Sequence, residues 1–407
     1  DDLHGNLRGI IEHMDDIQNL GIDVLYMTPI FQSNSCHKYD TTDYYQIDPS
    51  FGTTEDLKEL VQKAHERGMK VVLDAVYNHT GREFFAFADI LENGEKSKYR
   101  DWYFIDGFPL KSEWGEIPNF KCFGYYGGMP KLNLKNPEVE KYITDVACYW
   151  IKECDIDGWR LDVGDEISHF FWKNFRKAVK AVKKDMLIIG EIWHYAGDFL
   201  EGDEWDTVMN YPFYLNLIDL LADEKITVSQ FVQNLGYLKG RLHKNCYPLM
   251  WNLIDSHDTA RFLHLCNDNK KKQHLAAAFQ LLLPGMPMIY YGDEYAMPGA
   301  NDPDCRRGMY WDEEYQDKEM YEWYKRLIQV RKSHACIVEG ELAGSVTEDE
   351  EGTVVLIRKN GEETIAMIFN CSSSAKKFNE YTQKYNLLTE NTFDGNVEGF
   401  DAAVIVL

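Results

Sequence analysis

Seven short apolar segments, most of them followed by an amphipathic segment, predict an α/β fold of the (β/α)8 TIM barrel class. The apolar segments lie at 24–30, 70–77, 158–163, 187–193, 207–211, 248–256 and 286–292. Continuous apolar runs are typical of parallel strands that helices cover on both faces. An open doubly wound sheet is the alternative. No G-x-G-x-x-G fingerprint follows an early strand, and this favours the barrel.

The segments between the strands carry the sequence signals of helices. Helices are predicted at 6–21, 54–68, 136–154, 169–184, 270–283 and 318–334. In the second of them, Thr54 is a plausible N-cap and Gly68 a plausible stop. In the third, Pro137 lies in the first turn, where its missing N–H costs no hydrogen bond.

The domain organisation follows from breaks in this alternation. Residues 82–131 are too long for an ordinary loop and rich in glycine and aromatic residues, which predicts an inserted subdomain B. From residue 337, alternating apolar runs predict a C-terminal antiparallel β-sandwich domain over 337–407, leaving the barrel to 1–336. A barrel needs eight strands, and this chain opens with a helix. We therefore expect the first strand to precede Asp1 in a longer native polypeptide.

Composition and charge argue against several classes of partner. The formal net charge of −24 would repel nucleic acid and anionic membrane surfaces, so a neutral substrate is expected. No segment approaches the ~20 apolar residues of a membrane helix. The nine cysteines are odd in number and include no C-x-x-C pair. This favours reduced thiols and a cytoplasmic location over a disulfide scaffold.

Polar side chains cluster where the predicted strands end, and a barrel of this class places its active site there. Arg160 and Asp162 are two residues apart, so on a strand both point to the same side. Glu191 follows the apolar run LIIG on the next strand. Retaining glycosidases hold two such carboxylates about 5 Å apart, one as nucleophile and one as proton donor. The same pattern also fits buried acids with a purely structural role.

Four strings resemble, in order and approximate spacing, the signature regions of the α-amylase family of glycosidases. They are DAVYNH (74–79), DGWRLDV (157–163), GEIW (190–193) and DSHD (255–258). The pentapeptide MPKLN (129–133) is similar to the marker of the neopullulanase, cyclomaltodextrinase and maltogenic amylase subgroup. Further matches near the first and last visible strands extend the resemblance over almost the whole predicted barrel.

The resemblance implies a role for each matching residue. Asp162 would be the nucleophile, Glu191 the general acid/base and Asp258 the transition-state stabiliser. The implied substrate-binding residues are Tyr44, which would stack beneath the sugar, and His79, Arg160, Trp193, His194, His257, Asp302 and Arg306. Trp193 and His194 resemble residues of the acceptor side, whereas Asp302 and Arg306 resemble a clamp on the donor side. Asp293 and Glu294 resemble a pair that locks the barrel and are not expected to be catalytic.

The implied activity is that of a retaining glycoside hydrolase acting on α-1,4 glucosidic bonds, alone or together with α-1,6 bonds. The implied substrates are maltodextrins, pullulan, starch or cyclodextrins, cleaved through a covalent glucosyl-enzyme intermediate. Two alternatives stay open. One is a transglycosylase on the same scaffold. The other is a non-catalytic glycosidase-like subunit of an amino-acid transporter, although such relatives lose the catalytic acids that this sequence keeps.

No cofactor and no catalytic metal are expected, because the histidines are scattered and form no metal triad. In the subgroup, the loop after the first strand often holds a calcium ion, and that loop is not in this chain. The N-terminal β-sandwich that commonly builds the subgroup's dimer is not in this chain either. A structural calcium ion and a homodimer of the full-length protein therefore stay open.

Overall fold

The computed structural model describes residues 5–111 and 117–407. The chain divides into two compact units. The first runs to Ile192 and includes Asp198–Val208, and the second comprises Trp193–Gly197 and Met209–Leu407. Part of the predicted subdomain B, residues 112–116, and residues 1–4 of the predicted barrel lie outside the described residues.

The first unit is built on a parallel sheet. Its strands are β1 (Val24–Met27), β2 (Phe31–Ser33), β3 (Thr41–Ile47), β4 (Lys70–Ala75), β5 (Gly158–Leu161), β6 (Leu187–Gly190) and β7 (Thr207–Val208). Its helices are α1 (Leu7–Glu12), α2 (Met14–Leu20), α3 (Thr54–Glu66), α4 (Phe85–Asn93), α5 (Pro137–Cys154) and α6 (His169–Val182). The sheet has the order β1-β4-β5-β6-β7 with parallel pairing throughout, and β2 and β3 form a separate antiparallel hairpin.

The register of this sheet decides which side chains meet at its carboxyl edge. Asp74 pairs with Arg160 across β4 and β5, and Leu161 pairs with Gly190 across β5 and β6. The ladder continues for one residue beyond β6, because the N–H of Glu191 donates to the carbonyl of Leu161 at 3.0 Å. Parallel strands end at the same edge, so polar residues at these ends face a common space.

The observed helix boundaries agree with those predicted from the sequence, with two differences. Helix α3 is capped by Thr53, whose side chain forms a capping box with Asp56, so the N-cap predicted at Thr54 is wrong by one residue. The helix predicted over 6–21 is two helices, which meet at His13. Helix α5 has Pro137 at its first turn, as predicted, behind the cap Asn136.

The second unit contains two parallel strands and an antiparallel sheet. Its strands are β8 (Trp251–Asn252), β9 (Met286–Pro287), β10 (Glu341–Glu348), β11 (Thr353–Asn360), β12 (Glu363–Asn370), β13 (Lys376–Lys377), β14 (Tyr385–Asn386), β15 (Asn391–Thr392), β16 (Asn396–Val397) and β17 (Asp401–Val406). Its helices are α7 (Tyr211–Leu217), α8 (Val228–Arg241), α9 (Phe262–Leu265), α10 (Lys270–Leu282), α11 (Lys318–Ser333) and α12 (Ala335–Glu339). Strands β8 and β9 pair in parallel.

The C-terminal sheet is antiparallel, as the alternating sequence pattern predicts. Six strands pair in the order β10-β11-β12-β17-β14-β15, and β13 and β16 form a smaller sheet. Buried residues of β11, β12 and β17 share one core with Val397 of β16 and with Phe378 and Phe393. The boundaries predicted for the domains stay predictions.

All seven predicted parallel strands are present, although each is shorter than its apolar segment. The hairpin of β2 and β3 and the helices α4, α7, α8, α9 and α12 were not predicted. In β3 and α8, polar residues interrupt the apolar pattern, because most side chains of these two elements are not buried.

The close contact between Gly190 and Trp205 leads to a testable prediction about stability. Gly190 ends β6, and a Cβ built on it would overlap the ring of the buried Trp205. We expect Gly190→Ala to lower the free energy of unfolding by about 1–3 kcal/mol, because a packed core accommodates an added methyl group poorly. Urea unfolding of both proteins measures the change.

Gly236 provides the matched control for this substitution. It lies in α8, and a Cβ there would meet no atom within 4 Å. Gly236→Ala should raise the free energy of unfolding by about 0.5–1 kcal/mol, since alanine favours a helix more than glycine does. Equal effects of the two substitutions would contradict the packing argument.

Candidate active site

A buried guanidinium organises the carboxyl edge of the sheet in the first unit. Nη1 of Arg160 donates to both oxygens of Asp74 at 3.1 and 3.0 Å and to Oδ1 of Asp162 at 3.1 Å. Nη2 lies 3.0 Å from Oε2 of Glu191. Arg160 has no exposed surface, and Asp162 and Glu191 are 5% and 7% exposed. The structure therefore brings the predicted nucleophile and the predicted proton donor together against one cation.

Two tyrosines complete this network. The hydroxyl of Tyr26 donates to Oδ2 of Asp74 at 2.8 Å, and that of Tyr39 donates to the same oxygen at 3.3 Å. Burial raises the pKa of both phenols well above the usual value, so they stay neutral hydrogen-bond donors at neutral pH. Asp74 therefore accepts hydrogen bonds from two phenols as well as from Arg160.

The charge of Arg160 is fixed by its neighbours. Burial alone would lower the pKa of its guanidinium, but the carboxylates of Asp74 and Glu191 raise it well above the usual value. Arg160 is therefore a fixed positive charge in contact with the carboxyl groups of Asp74, Asp162 and Glu191.

A backbone donor also contacts the predicted acid/base. The N–H of Val163, the residue after Asp162, donates to Oε2 of Glu191 at 2.9 Å. The carboxylate of Glu191 is thus held by one side chain and one main-chain group, both supplied by the neighbouring strand and its end.

His79 is buried beside this network and is 1% exposed. Its Nε2 lies 3.0 Å from the carbonyl oxygen of Tyr39, which can only accept, so Nε2 carries the proton. The ring stacks against Phe123 with centroids 5.1 Å apart. Burial lowers the pKa of His79 to about 4, so the imidazole is neutral at neutral pH. Its predicted contact with sugar stays a prediction.

Two predicted sugar contacts have no exposed surface. The side chain of Tyr44 is 0% exposed, and its hydroxyl donates to the carbonyl oxygens of Val76 at 2.7 Å and His79 at 2.9 Å. Arg160 is equally buried. The predicted stacking of Tyr44 beneath the sugar and the predicted binding of the sugar by Arg160 stay predictions. Tyr39, whose hydroxyl contacts Asp74, is half-buried.

In the second unit, four predicted site residues form one cluster. Nε2 of His257 lies 3.1 Å from Oδ2 of Asp258. Arg306 donates from Nε to the carbonyl oxygen of His257 at 2.9 Å and from Nη2 to Asp258 at 3.4 Å. Asp302 lies 2.9 Å from the same Nε. The predicted stabiliser and the predicted donor-side clamp are thus neighbours, and their roles stay predictions.

The predicted acceptor-side residues also lie in the second unit. Trp193 is 42% exposed and stacks on Tyr211, with ring centroids 3.9 Å apart and planes at 13°. One face of the indole is therefore supported by protein. His194 is exposed, and its Nδ1 lies 3.3 Å from the carbonyl oxygen of Tyr195. An exposed, supported ring suits contact with the apolar face of a sugar.

Asp293 and Glu294 are buried, as their predicted structural role requires. Nη1 of Arg261 donates to Asp293 at 3.2 Å. Burial raises the pKa of Asp293 well above the usual value and that of Glu294 to about 7. Both acids lie among core residues and bind a structural arginine or a backbone N–H, which fits a role in the scaffold.

The site residues predicted from the sequence did not include Tyr26, Tyr39 or Asp74. Asp74 opens the first signature string and is the penultimate residue of β4, so its position was a usable signal. The two tyrosines carry no comparable signal, since only the folded chain brings them to Asp74.

Among residues 5–111 and 117–407, no group of three or more His, Cys, Asp or Glu side chains is arranged to hold a metal ion. Within the same residues, no helix combines the length and the apolar character needed to cross a membrane.

Comparison with known proteins identifies the family to which this fold belongs. Residues 1–320 match the family model described as the catalytic domain of α-amylase. This chain belongs to the α-amylase family. The solved structure of a cyclomaltodextrinase superimposes with a TM-score of 0.94 at 39% identity, covering 98% of this chain and 71% of that one. The predicted barrel fold with a C-terminal antiparallel β domain is therefore confirmed for this family member.

Curated relatives within the α-amylase family place the chain in the predicted subgroup. The cyclomaltodextrinase of Geobacillus thermopakistaniensis strain MAS1 is 48% identical over 371 residues, which cover 91% of this chain and 63% of that protein. Neopullulanase 2 of Thermoactinomyces vulgaris is 43% identical over 367 residues, which cover 90% of this chain and 62% of that protein. The resemblance carried by the signature strings is confirmed, and this chain spans less than two thirds of either relative.

The buried imidazole of this α-amylase family member generates a prediction about pH. The pKa of His79 is about 4 in the folded protein, below its ordinary value of 6.5. As pH falls from 6.5 towards 4, the unfolded chain gains a proton that the folded protein does not, so stability falls by up to about 3 kcal/mol. In His79→Gln, which keeps a donor towards Tyr39, this part of the loss should disappear.

Urea unfolding at several pH values between 4 and 7 measures this contribution. His243→Gln, the same substitution at an exposed histidine, is the matched control. An unchanged slope in His79→Gln would show that His79 titrates normally in the folded protein.

Proposed function

We propose that this protein is a retaining glycoside hydrolase that cleaves α-1,4 glucosidic bonds, with α-1,6 bonds as a second candidate linkage. The observation that carries the proposal is the shared guanidinium of Arg160, which holds Asp162 and Glu191 side by side at the end of two adjacent strands. Membership of the α-amylase family supports the same chemistry.

In the proposed mechanism, a carboxylate oxygen of Asp162 attacks the anomeric carbon while Glu191 gives its proton to the leaving oxygen. A covalent glucosyl-enzyme forms, and the leaving sugar departs with the proton. Glu191 then takes a proton from water, which attacks the anomeric carbon and releases Asp162. Arg160 stays charged throughout and keeps both carboxylates in place. Asp258 as transition-state stabiliser is proposed from the motif resemblance.

The proposed substrates are α-glucans, namely maltodextrins, pullulan, starch and cyclodextrins. The names of relatives support this range, since they include cyclomaltodextrinase, maltogenic α-amylase, neopullulanase and amylopullulanase. The exposed Trp193, backed by Tyr211, is the proposed acceptor-side platform. Asp302 and Arg306 are the proposed donor-side clamp.

The sequence is also compatible with two alternative functions. A transglycosylase would use the same covalent intermediate and differ in what attacks it, so it stays the alternative. A non-catalytic transporter subunit is disfavoured, because Asp162, Glu191 and Asp258 are all present and two of them share one guanidinium.

We also propose a cytoplasmic location for this protein. The nine cysteines, all within the described residues, are free thiols, which supports a reducing compartment. One relative carries the name intracellular maltogenic amylase. A structural calcium ion and a homodimer stay proposals.

Removal of the nucleophile tests the proposal directly. Asp162→Asn should reduce hydrolysis of 4-nitrophenyl α-maltoside by at least about 10⁴-fold, because the amide cannot form the covalent intermediate. Release of nitrophenolate measures the rate. Asp185→Asn, at an exposed aspartate, is the matched control and should keep full activity. Full activity in Asp162→Asn would overturn the assignment.

The products identify the substrate and the stereochemistry. Incubation with pullulan, starch and β-cyclodextrin, followed by chromatography, should give panose from pullulan if the specificity is neopullulanase-like. Proton NMR of the first products should show the α-anomer, since two displacements at one carbon retain its configuration. Initial formation of the β-anomer would contradict the retaining mechanism. Products longer than the substrate would favour the transglycosylase.

A further inference from the structure

A strained residue links the two predicted catalytic carboxylates. Val163, directly after Asp162, has φ of 48° and ψ of 42°, the left-handed conformation. For a β-branched residue this conformation is an outlier, and it persists only when surrounding contacts impose it. In this conformation the N–H of Val163 donates to Oε2 of Glu191 at 2.9 Å. The strained conformation of Val163 therefore directs its backbone N–H towards the predicted acid/base.

On one side, the chain after Val163 is held by contacts with buried residues of the first unit. It forms a short 3-10 turn, in which the N–H of Glu166 donates to the carbonyl oxygen of Val163 at 3.1 Å. The indole N–H of Trp172 donates to the carbonyl oxygen of Gly164 at 2.8 Å. A Cβ on Gly164 would lie 2.8 Å from the ring of Trp205, so the turn sits directly on the core.

On the other side the turn is tied by Lys131, the central residue of MPKLN. Its ammonium donates to the carbonyl oxygen of Glu166 at 3.1 Å, to Oε2 of Glu166 at 3.0 Å and to Oδ1 of Asn78. An ammonium has three N–H donors, and each has an oxygen within reach. The side chain of Lys131 is 18% exposed and that of Glu166 is 45% exposed. Solvent therefore weakens the ion pair, and the two uncharged acceptors define the geometry.

The backbone around Lys131 is also held by hydrogen bonds. Its backbone forms an antiparallel bridge with His79, and the N–H of Leu132 donates to the carbonyl oxygen of Asn78 at 3.0 Å. The N–H of Thr80 donates to the carbonyl oxygen of Pro130 at 3.1 Å. Lys131 thus joins the segment that follows β4 to the turn that follows β5.

We propose that Lys131 is a positioning residue for the acid/base Glu191, an inference that rests on the proposed function. By holding Glu166, the ammonium keeps the turn in the form that forces Val163 into its left-handed conformation. Without this tie, Val163 relaxes to an ordinary conformation and its N–H turns away from Glu191. Proton transfer to the leaving oxygen then suffers, whereas nucleophilic attack by Asp162 does not depend on it.

Two substrates separate these steps. Maltotriose has a sugar oxygen as leaving group and needs a proton from Glu191, whereas α-maltosyl fluoride releases fluoride without one. In Lys131→Met, which keeps the aliphatic stem, kcat/KM for maltotriose should fall about 10- to 100-fold, part of the range of general acid catalysis. The value for α-maltosyl fluoride should stay within about 3-fold of the wild type, since its first step needs no proton donor.

The control and the rescue use matched variants. Lys135→Met removes an exposed lysine four residues away and should leave both substrates unaffected. Val163→Gly in the Lys131→Met background should restore the substrate ratio towards that of the wild type, because glycine enters the left-handed conformation without strain. Circular dichroism verifies folding, and Lys131→Gln replaces Lys131→Met if the latter does not fold.

Equal loss on both substrates, or no loss on either, would overturn the positioning role. The first result would indicate a merely structural tie, and the second would show that Val163 keeps its conformation unaided. Failure of the proposed function is distinguishable, because the wild-type protein would then hydrolyse neither maltotriose nor α-maltosyl fluoride.

Discussion

The guanidinium of Arg160 is buried without any exposed surface, and a charge in this position requires partners that replace its lost hydration. Asp74, Asp162 and Glu191 supply them from the ends of three adjacent strands. The ion cluster that stabilises the buried Arg160 therefore also sets the positions of the two proposed catalytic carboxylates. Removing Arg160 would leave three buried carboxyl groups without their shared cation, so the stability of the fold and the geometry of the proposed site depend on the same contacts.

The proposed catalytic groups are held by main chain as well as by side chains. Val163 gives its N–H to Glu191 only because a turn, pinned by Trp172 and Lys131, keeps it in a conformation that its side chain disfavours. Free energy from packing and from the ammonium contacts thus offsets local strain beside the site. Precise orientation of a proton donor is a function for which such strain is useful.

The high aromatic content serves mainly the scaffold. Trp150, Trp159, Trp172 and Trp205 are among the largest completely buried side chains, whereas Trp193 is one of several exposed aromatic side chains. Large rings fill the space behind the sheet, and glycines such as Gly190 allow them to approach the backbone. Only a ring that keeps one face open, as Trp193 does above Tyr211, is available to a sugar.

The sequence alone determined the seven parallel strands, the antiparallel C-terminal sheet, the family and the pair Asp162 and Glu191. Apolar runs, alternating patterns and signature strings lie within short segments of the sequence. They can therefore be recognised without knowing which distant segments are in contact. The tertiary structure decided what depends on packing between distant segments. It buried Tyr44, brought Tyr39 to the network and placed Val163 in a left-handed conformation. Exposure and backbone strain arise from neighbours far along the chain, so no spacing rule reveals them.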